Sequence, residues 1–523
     1  MIYLLYLLVA ISLVTLLRRL GIISFHRLIP FLPDTAKANA LEHEDLLTLF
    51  DKFNYQHDDG VCHGFTLTWA QEAALELDPQ FYKRLNLIKR EKETLPNSLN
   101  AITEKIKTSQ ALSKKEKKLN EIKPFFEAIC LAQSPDDYHE IYAQMIQQSN
   151  IDSIYKMIQL NLGKSQNKVK NLFSKTLSLA SPQEVSKFLN RLNGLLPIKG
   201  QVVVVCSSEE HTVGFKKCQD MMWLFMDINR LYEQSEEYPY LLVTSEELCQ
   251  ALYKSLFESS PQLVLHCSFV AKAGQRKLSE RIHSLDDIYP VNETSIAINN
   301  CRGYGALAIA IQTDDRSTVS AILRLHKKSP IISQSEFEQA LFYAAACNRT
   351  DMMNKLKGIP QINMNSSCTM KGDSPLGVAC KYGNERIVRL LLRTQGIQVN
   401  TKNIKGMTPL MNACKSSYSQ ISPTLFELLL AAGADTTLTN VDGETAGAIA
   451  QKYDNQTALK ALVPQKNSQM RYKSKDDTPK GRSFRKKTVL TALISSKHHS
   501  FFNRDDEPLT FSAQKNNFSQ TKS

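Results

Sequence analysis

The sequence predicts an α+β domain with a helical insertion, followed by an all-α repeat solenoid. Three observations carry this. β-Branched and aromatic runs gather at 201–206, 211–215 and 221–229, with the length and apolar content of strands. The stretches around them place apolar residues at helical spacing. A Gly-started motif at Gly372 recurs 34 residues later at Gly406, a period that marks stacked helical repeats.

The chain has 523 residues, more than one ordinary domain of roughly 100–200 residues holds. Hydrophobic residues make up 42% and charged residues 22%, which excludes a fully disordered chain and a polytopic membrane protein. The eleven cysteines form no CxxC and no Cys/His zinc spacing, so a reducing compartment is expected rather than a disulfide scaffold. The net charge of +12 is uneven: from Pro464 onward 13 Lys/Arg face 5 Asp/Glu. The basicity belongs mainly to that tail, and no nucleic-acid partner is expected.

Four segments follow: an apolar N-terminal stretch (1–33), an α+β domain (34–295) with a helical insertion at about 80–200, repeats (302–463) and a basic tail (464–523). Residues 2–17 are apolar except Ser12 and Thr15 and end at Arg18-Arg19. As a helix they would span about 24 Å, slightly short of a hydrocarbon core of roughly 30 Å. A membrane anchor, a groove-docked helix and a misassigned start all remain open. The tail is rich in Lys, Ser, Asn and Gln, a composition expected to be disordered.

In the repeat region, Lys371-Gly-Asp-Ser-Pro-Leu-Gly-Val-Ala-Cys380 is matched by Lys405-Gly-Met-Thr-Pro-Leu-Met-Asn-Ala-Cys414, and a third start lies at Asp442. Thr408-Pro409 is expected to cap and open a helix, with proline where no donor is lost. Small Ala379 and Ala413 allow close helix approach, leucines at 390–392 and 428–430 form an apolar face, and Gly433 suits a left-handed stop. Weaker units precede at 304–327 and 336–367. The pattern resembles ankyrin repeats, which implies a protein-binding surface.

The chemistry-bearing constellation begins at Gln56-His-Asp-Asp-Gly-Val-Cys-His-Gly-Phe-Thr-Leu-Thr-Trp69. A helix is expected over 65–77, with Cys62 at or just before its N-terminus, where the helix dipole favours a thiolate. A nucleophilic cysteine needs a base, and the base an orienting group. His211 opens one predicted strand and Asp227 closes its neighbour, so an antiparallel pairing brings them to one sheet edge. An oxyanion hole is also needed, and the Cys62 backbone N–H is one candidate donor. Trp69 and Trp223 read as core, and Asn229 as a turn residue.

Gly-Val-Cys-His-Gly with Trp69, then His-x-Val-Gly, then Phe-x-Asp-x-Asn, resembles the YopT-type cysteine peptidases, papain-like bacterial effector enzymes. The resemblance covers 56–69 and 201–229. It implies a papain-like core with Cys62 as nucleophile, His211 as base and Asp227 as orienter, and makes Gln56, six residues before Cys62, the candidate side-chain donor of the oxyanion hole, with His57, Asp58 and Asp59 as competitors. Asp227-Ile-Asn229 departs from the Asp-Pro-Asn often found in that family. With the repeats, the chain resembles Legionella-like type IV secreted effectors. That implies a host cytoplasmic location, a host protein partner on the repeats and cleavage of a host protein. Deamidation or acyl transfer by the same triad, or a non-catalytic scaffold, are the alternatives. No HExxH, P-loop, dinucleotide fingerprint or Gly-x-Ser-x-Gly is present, and no metal or organic cofactor is expected.

Overall fold

The computed structural model describes residues 40–55, 60–135, 150–162, 168–198, 202–233, 240–256, 258–416 and 421–462. The N-terminal stretch 2–17, the candidate Gln56 with its competitors at 57–59, and the tail lie outside them. The fold mixes helices with one antiparallel sheet, and the described residues fall into two compact units divided after Ile362. Among the described residues no helix is long and apolar enough to cross a membrane.

The first unit begins with helices α1 (His43–Lys52), α2 (Cys62–Ala74), α3 (Asp78–Glu91), α4 (Leu95–Lys107), α5 (Lys114–Leu119), α6 (Ile122–Gln133) and α7 (Ile151–Leu162). β1 (Val169–Leu179) and α8 (Pro182–Leu195) follow, then β2 (Val202–Ser207), β3 (Thr212–Gln219), β4 (Met222–Met226) and β5 (Leu241–Thr244). α9 (Ser245–Ser255) and β6 (Leu263–Lys272) complete the sheet region, with α10 (Arg276–His283), α11 (Leu285–Ile288) and α12 (Glu293–Ile296) after it. The sheet order is β1-β6-β2-β3-β4-β5, so the expected meander forms one half and β6 inserts between β1 and β2.

The sheet is covered on both faces. Val203, Val205 and Val270 pack with Phe65, Trp69, Phe125 and Ile129 of the early helices. Val202, Val204 and Cys206 point the other way, among Phe188, Leu192, Leu248 and Leu252. Alternation along β2 thus feeds two cores, which is why this strand reads as an unbroken valine run.

One correction concerns the helical insertion. β1 is a strand inside the stretch expected to be helical, while the helix after it starts at Pro182, capped by Ser181 accepting from the Glu184 N–H, where the Ser181-Pro-Gln-Glu sequence reads as a helix start. β1 pairs with β6 over its whole length. The charged run 89–123 holds the end of α3, all of α4 and α5 and the start of α6: it breaks before Pro96, which sits in the first turn of α4, and again at Ser109, which has φ of 54°.

The unit ends in two helix pairs, α13 (Ala306–Gln312) with α14 (Arg316–Lys328) and α15 (Gln334–Ala346) with α16 (Thr350–Lys357). The second unit holds three more: α17 (Pro375–Lys381) and α18 (Glu385–Leu392), α19 (Pro409–Lys415) and α20 (Pro423–Ala431), α21 (Ala446–Lys452) and α22 (Gln456–Leu462). Thr408 caps α19 as expected, accepting from the Met411 N–H. Gly433 takes φ of 90°, the left-handed stop read from sequence. Ala379 and Ala413 are fully buried, as are Leu391 and Leu429 from the two leucine runs.

Candidate functional site

Cys62 is the first residue of α2, so its N–H has no partner within the helix. The helix is pinned to β3 by specific contacts. Thr66 Oγ1 donates to the Thr212 carbonyl at 3.0 Å, and His63 Nδ1 lies 3.4 Å from Thr212 Oγ1. Gly214 of β3 lies directly under Trp69: a Cβ there would sit 2.6 Å from the indole ring. The indole Nε1 donates to the Tyr82 hydroxyl at 3.1 Å, and Trp69 is core, as is Trp223. On its other side α2 meets α6, where the Gly64 N–H donates to Gln133 Oε1 at 3.0 Å.

The antiparallel β3–β4 ladder, with Gly214 opposite Met226, sets the second half of the site. His211 stands just before β3 and Asp227 just after β4, and His211 Nε2 lies 2.9 Å from Asp227 Oδ1. Both side chains are buried. With Nε2 committed to the carboxylate, Nδ1 is the nitrogen left for the thiol, and the His211 side chain is hydrogen-bonded to Cys62. The structure therefore brings Cys62, His211 and Asp227 together in the relay expected from sequence.

The electrostatics follow from this contact. Burial opposes a Cys62 thiolate, but the charge and hydrogen bond of His211, with the Thr212 backbone, outweigh it and hold the thiol below its ordinary range. Burial also opposes charge on His211; the Cys62 thiolate and Asp227 reverse that and raise the imidazole to about 10. Asp227 resists its own burial through His211 and the Asn229 N–H and stays below the usual carboxylate range, although the neighbouring Ser255 Oγ is buried with no hydrogen-bond partner. By contrast, burial pushes Cys130, Cys218, Cys249, Cys267, Cys380 and Cys414 upward. A thiol poised as thiolate beside an oriented imidazolium is the nucleophilic form.

Two residues at the site escaped the sequence reading. Asn229, read as a turn residue, donates its N–H to Asp227 Oδ1 at 2.9 Å while its Oδ1 lies 2.8 Å from His43 Nδ1. His43, on α1, extends the relay to a second imidazole, whose Nε2 is buried without a hydrogen-bond partner. Its ring packs against Gly60, two residues before Cys62. Burial and the charge of His211 keep His43 below the ordinary imidazole range, against its bond to Asn229. Ser255, at the end of α9, is the other. No local signal marks either residue.

Among the described residues no cluster of three or more His, Cys, Asp or Glu side chains is placed to hold a metal ion. A cleft of about 890 Å³ opens elsewhere, between α8, the end of β1 and α12, and includes none of the three relay residues. Volume alone does not mark the chemistry; the perturbed, mutually oriented groups do.

Comparison with known proteins finds the family model for ankyrin repeats (three copies) over residues 341–427. A provisionally named E3 ubiquitin-protein ligase protein of Plasmodium falciparum (isolate 3D7) is 38% identical over 98 residues, 18% of this chain. The match spans about 1% of that relative's length. Ankyrin repeats support a protein-binding role for this part of the chain.

Proposed function

We propose that the protein is a thiol hydrolase of the cysteine peptidase type, acting on a protein that its ankyrin repeats recruit. The observation that carries this is the Cys62–His211–Asp227 relay. Its thiol is held down in pKa, whereas burial raises the six thiols named above.

The chemistry follows from the geometry. The Cys62 thiolate attacks a carbonyl carbon, and the carbonyl π electrons move onto oxygen. The free N–H of Cys62 at the start of α2 lies where it can stabilise that oxyanion. The His211 imidazolium gives the proton on its thiol-facing nitrogen to the departing amine as the C–N bond breaks, leaving a thioester on Cys62. Neutral His211 then takes a proton from water, hydroxide adds to the thioester, and thiolate leaves as the acid is released. Asp227 keeps the tautomer and charge of His211 through both steps. Release of ammonia from a side-chain amide, or transfer of the acyl group to an amine, uses the same residues.

Delivery by type IV secretion into a host cytoplasm rests on the resemblance of the repeat-bearing chain to Legionella-like secreted effectors, and cleavage of a host protein on the resemblance of the 56–69 and 201–229 motifs to the YopT-type enzymes. The scaffold reading draws on the repeats alone. The two are separated by incubating wild type and Cys62→Ala with a proteome-derived peptide library and sequencing new termini. Cleavage by wild type only supports the hydrolase. Equal product sets from both, with retained partner capture, support the scaffold.

A further inference from the structure

The turn that carries His211 is held from outside the sheet. Residues 208–210 join β2 to β3, and the Ser208 N–H donates to the His211 carbonyl at 2.9 Å. Ser208 Oγ accepts the His211 N–H at 3.2 Å, closing the turn on itself. Glu209, however, runs away from the thiol into the base of the first helix pair. Its Oε1 accepts from Arg302 Nη1 at 2.9 Å and its Oε2 from Asn300 Nδ2 at 2.8 Å. Its main-chain carbonyl accepts from Gln312 Nε2 at 3.1 Å. Three donors from one short stretch of the first repeat thus converge on one residue.

The next residue closes the connection to the site. The Glu210 carboxylate lies 2.5 Å from Arg302 Nη1, and its main-chain carbonyl is 3.8 Å from Cys62 Sγ. Arg302 therefore grips both acidic residues of the turn, and the turn touches the nucleophile on one side and carries its base on the other. Asn300 is itself fixed, its Oδ1 accepting the N–H groups of Arg302 at 3.1 Å and Tyr304 at 2.9 Å. Burial is costly for the Glu209 carboxyl, raising it to about 7 despite Arg302. A buried acid of this kind is retained where it fixes a geometry, since an apolar residue would fill the space at lower cost.

We infer that Arg302 and Asn300, in the loop that opens the first repeat, are positioning residues for the Cys62–His211 pair, acting through Glu209 and Glu210. This rests on the cysteine peptidase reading. The first repeat is then a structural part of the thiol site as well as a piece of binding surface. Both contacts come from Arg302 Nη1, so lysine at 302 keeps a cation that can meet the two carboxylates but loses the rigid guanidinium that aims it.

The test uses the full chain and iodoacetamide, with alkylation of Cys62 followed by peptide mass spectrometry against Cys218 as an internal reference. Wild type, Arg302→Ala, Arg302→Lys and Asn300→Ala are compared from about pH 5 to pH 9, alongside their melting temperatures. The expected result is a Cys62 pH profile displaced upward in Arg302→Ala, with about a tenfold loss of rate on its rising limb for each unit of displacement. Arg302→Lys should recover part of it, and Cys218 should not change. A profile that stays with wild type while the melting temperature falls would overturn the inference and leave Arg302 a purely structural clamp. If Arg302→Ala does not fold, Asn300→Ala, which removes the bond to Glu209 and the two that Oδ1 accepts but leaves the Arg302 guanidinium in place, decides by the same criterion. A wild-type Cys62 no faster than Cys218 would instead sink the peptidase reading itself, and the inference with it.

Discussion

Gly64 offers a sharp test because one methyl group there has two opposed effects of different size. In the middle of a helix, alanine is favoured over glycine by about 1 kcal/mol. Yet a Cβ at Gly64 would lie 2.0 Å from the Ile129 carbonyl oxygen and 2.7 Å from the Gln133 nitrogen, both backbone atoms of α6. Backbone cannot rotate away as a side-chain tip can, and α6 is wedged in place by buried Phe125, Phe126 and Ile129. Overpacking of this kind costs about 3 kcal/mol or more, so the net change in Gly64→Ala is a loss of at least about 2 kcal/mol. At about 1.6 °C per kcal/mol for a unit of this size, the melting temperature should fall by at least about 3 °C. The control is Gly194→Ala on α8, where no atom lies within 4 Å of the new Cβ; there only the propensity gain remains, up to about 1 kcal/mol. Thermal melts of the two variants should move in opposite directions. A Gly64→Ala protein that melts with or above wild type would refute the close approach of α2 and α6, and with it the placement of Cys62.

Other consequences follow from single interactions. Because His211 is raised to about 10 while Cys62 is lowered, the ion pair exists from the depressed thiol pKa up to about pH 10; alkylation of Cys62 should level off at a pH below the ordinary thiol range, whereas Cys218, pushed up by burial, should still be climbing above pH 9. Glu72 and Arg84 form a buried two-pronged ion pair at 2.8 and 2.9 Å, so Glu72→Ala, which strands the guanidinium, should cost about 3–5 kcal/mol by denaturant titration. A loss under 1 kcal/mol would mean that water reaches Arg84. In the second unit Gly406 has φ of 69° and a Cβ there would meet Asn440 backbone at 3.0 Å; Gly406→Ala should lower the melting temperature of the repeats, and an unchanged melt would contradict that left-handed turn.

The relay was legible because each member carries a local mark: Cys62 its glycine flank and helix start, His211 the end of a valine run, Asp227 the end of an aromatic strand. Meander topology then brings the last two to one edge without further information. His43 had no such mark, since its partner Asn229 is 186 residues away. The same holds for Arg302, whose side chain reads as an ordinary repeat-loop cation until Glu209 is found 93 residues earlier. β1 was missed for a related reason. Its sequence, VKNLFSKTLSL, mixes lysine and serine into the strand, and Lys175 is buried only because Asp286 of α11 meets it at 2.5 Å. The repeats, in contrast, are dominated by contacts between neighbours in sequence, so period, caps and buried leucines could all be read in advance.

The central claim is that Cys62 is a thiolate because His211 and Asp227 make it one. The direct measurement is the alkylation rate of every cysteine in the folded full-length protein at neutral pH, in wild type, His211→Ala and Asp227→Ala. The account predicts that Cys62 reacts far ahead of the other ten cysteines in wild type and loses that lead in both variants. A Cys62 that reacts like an ordinary thiol in wild type, or keeps its rate without His211, would contradict it.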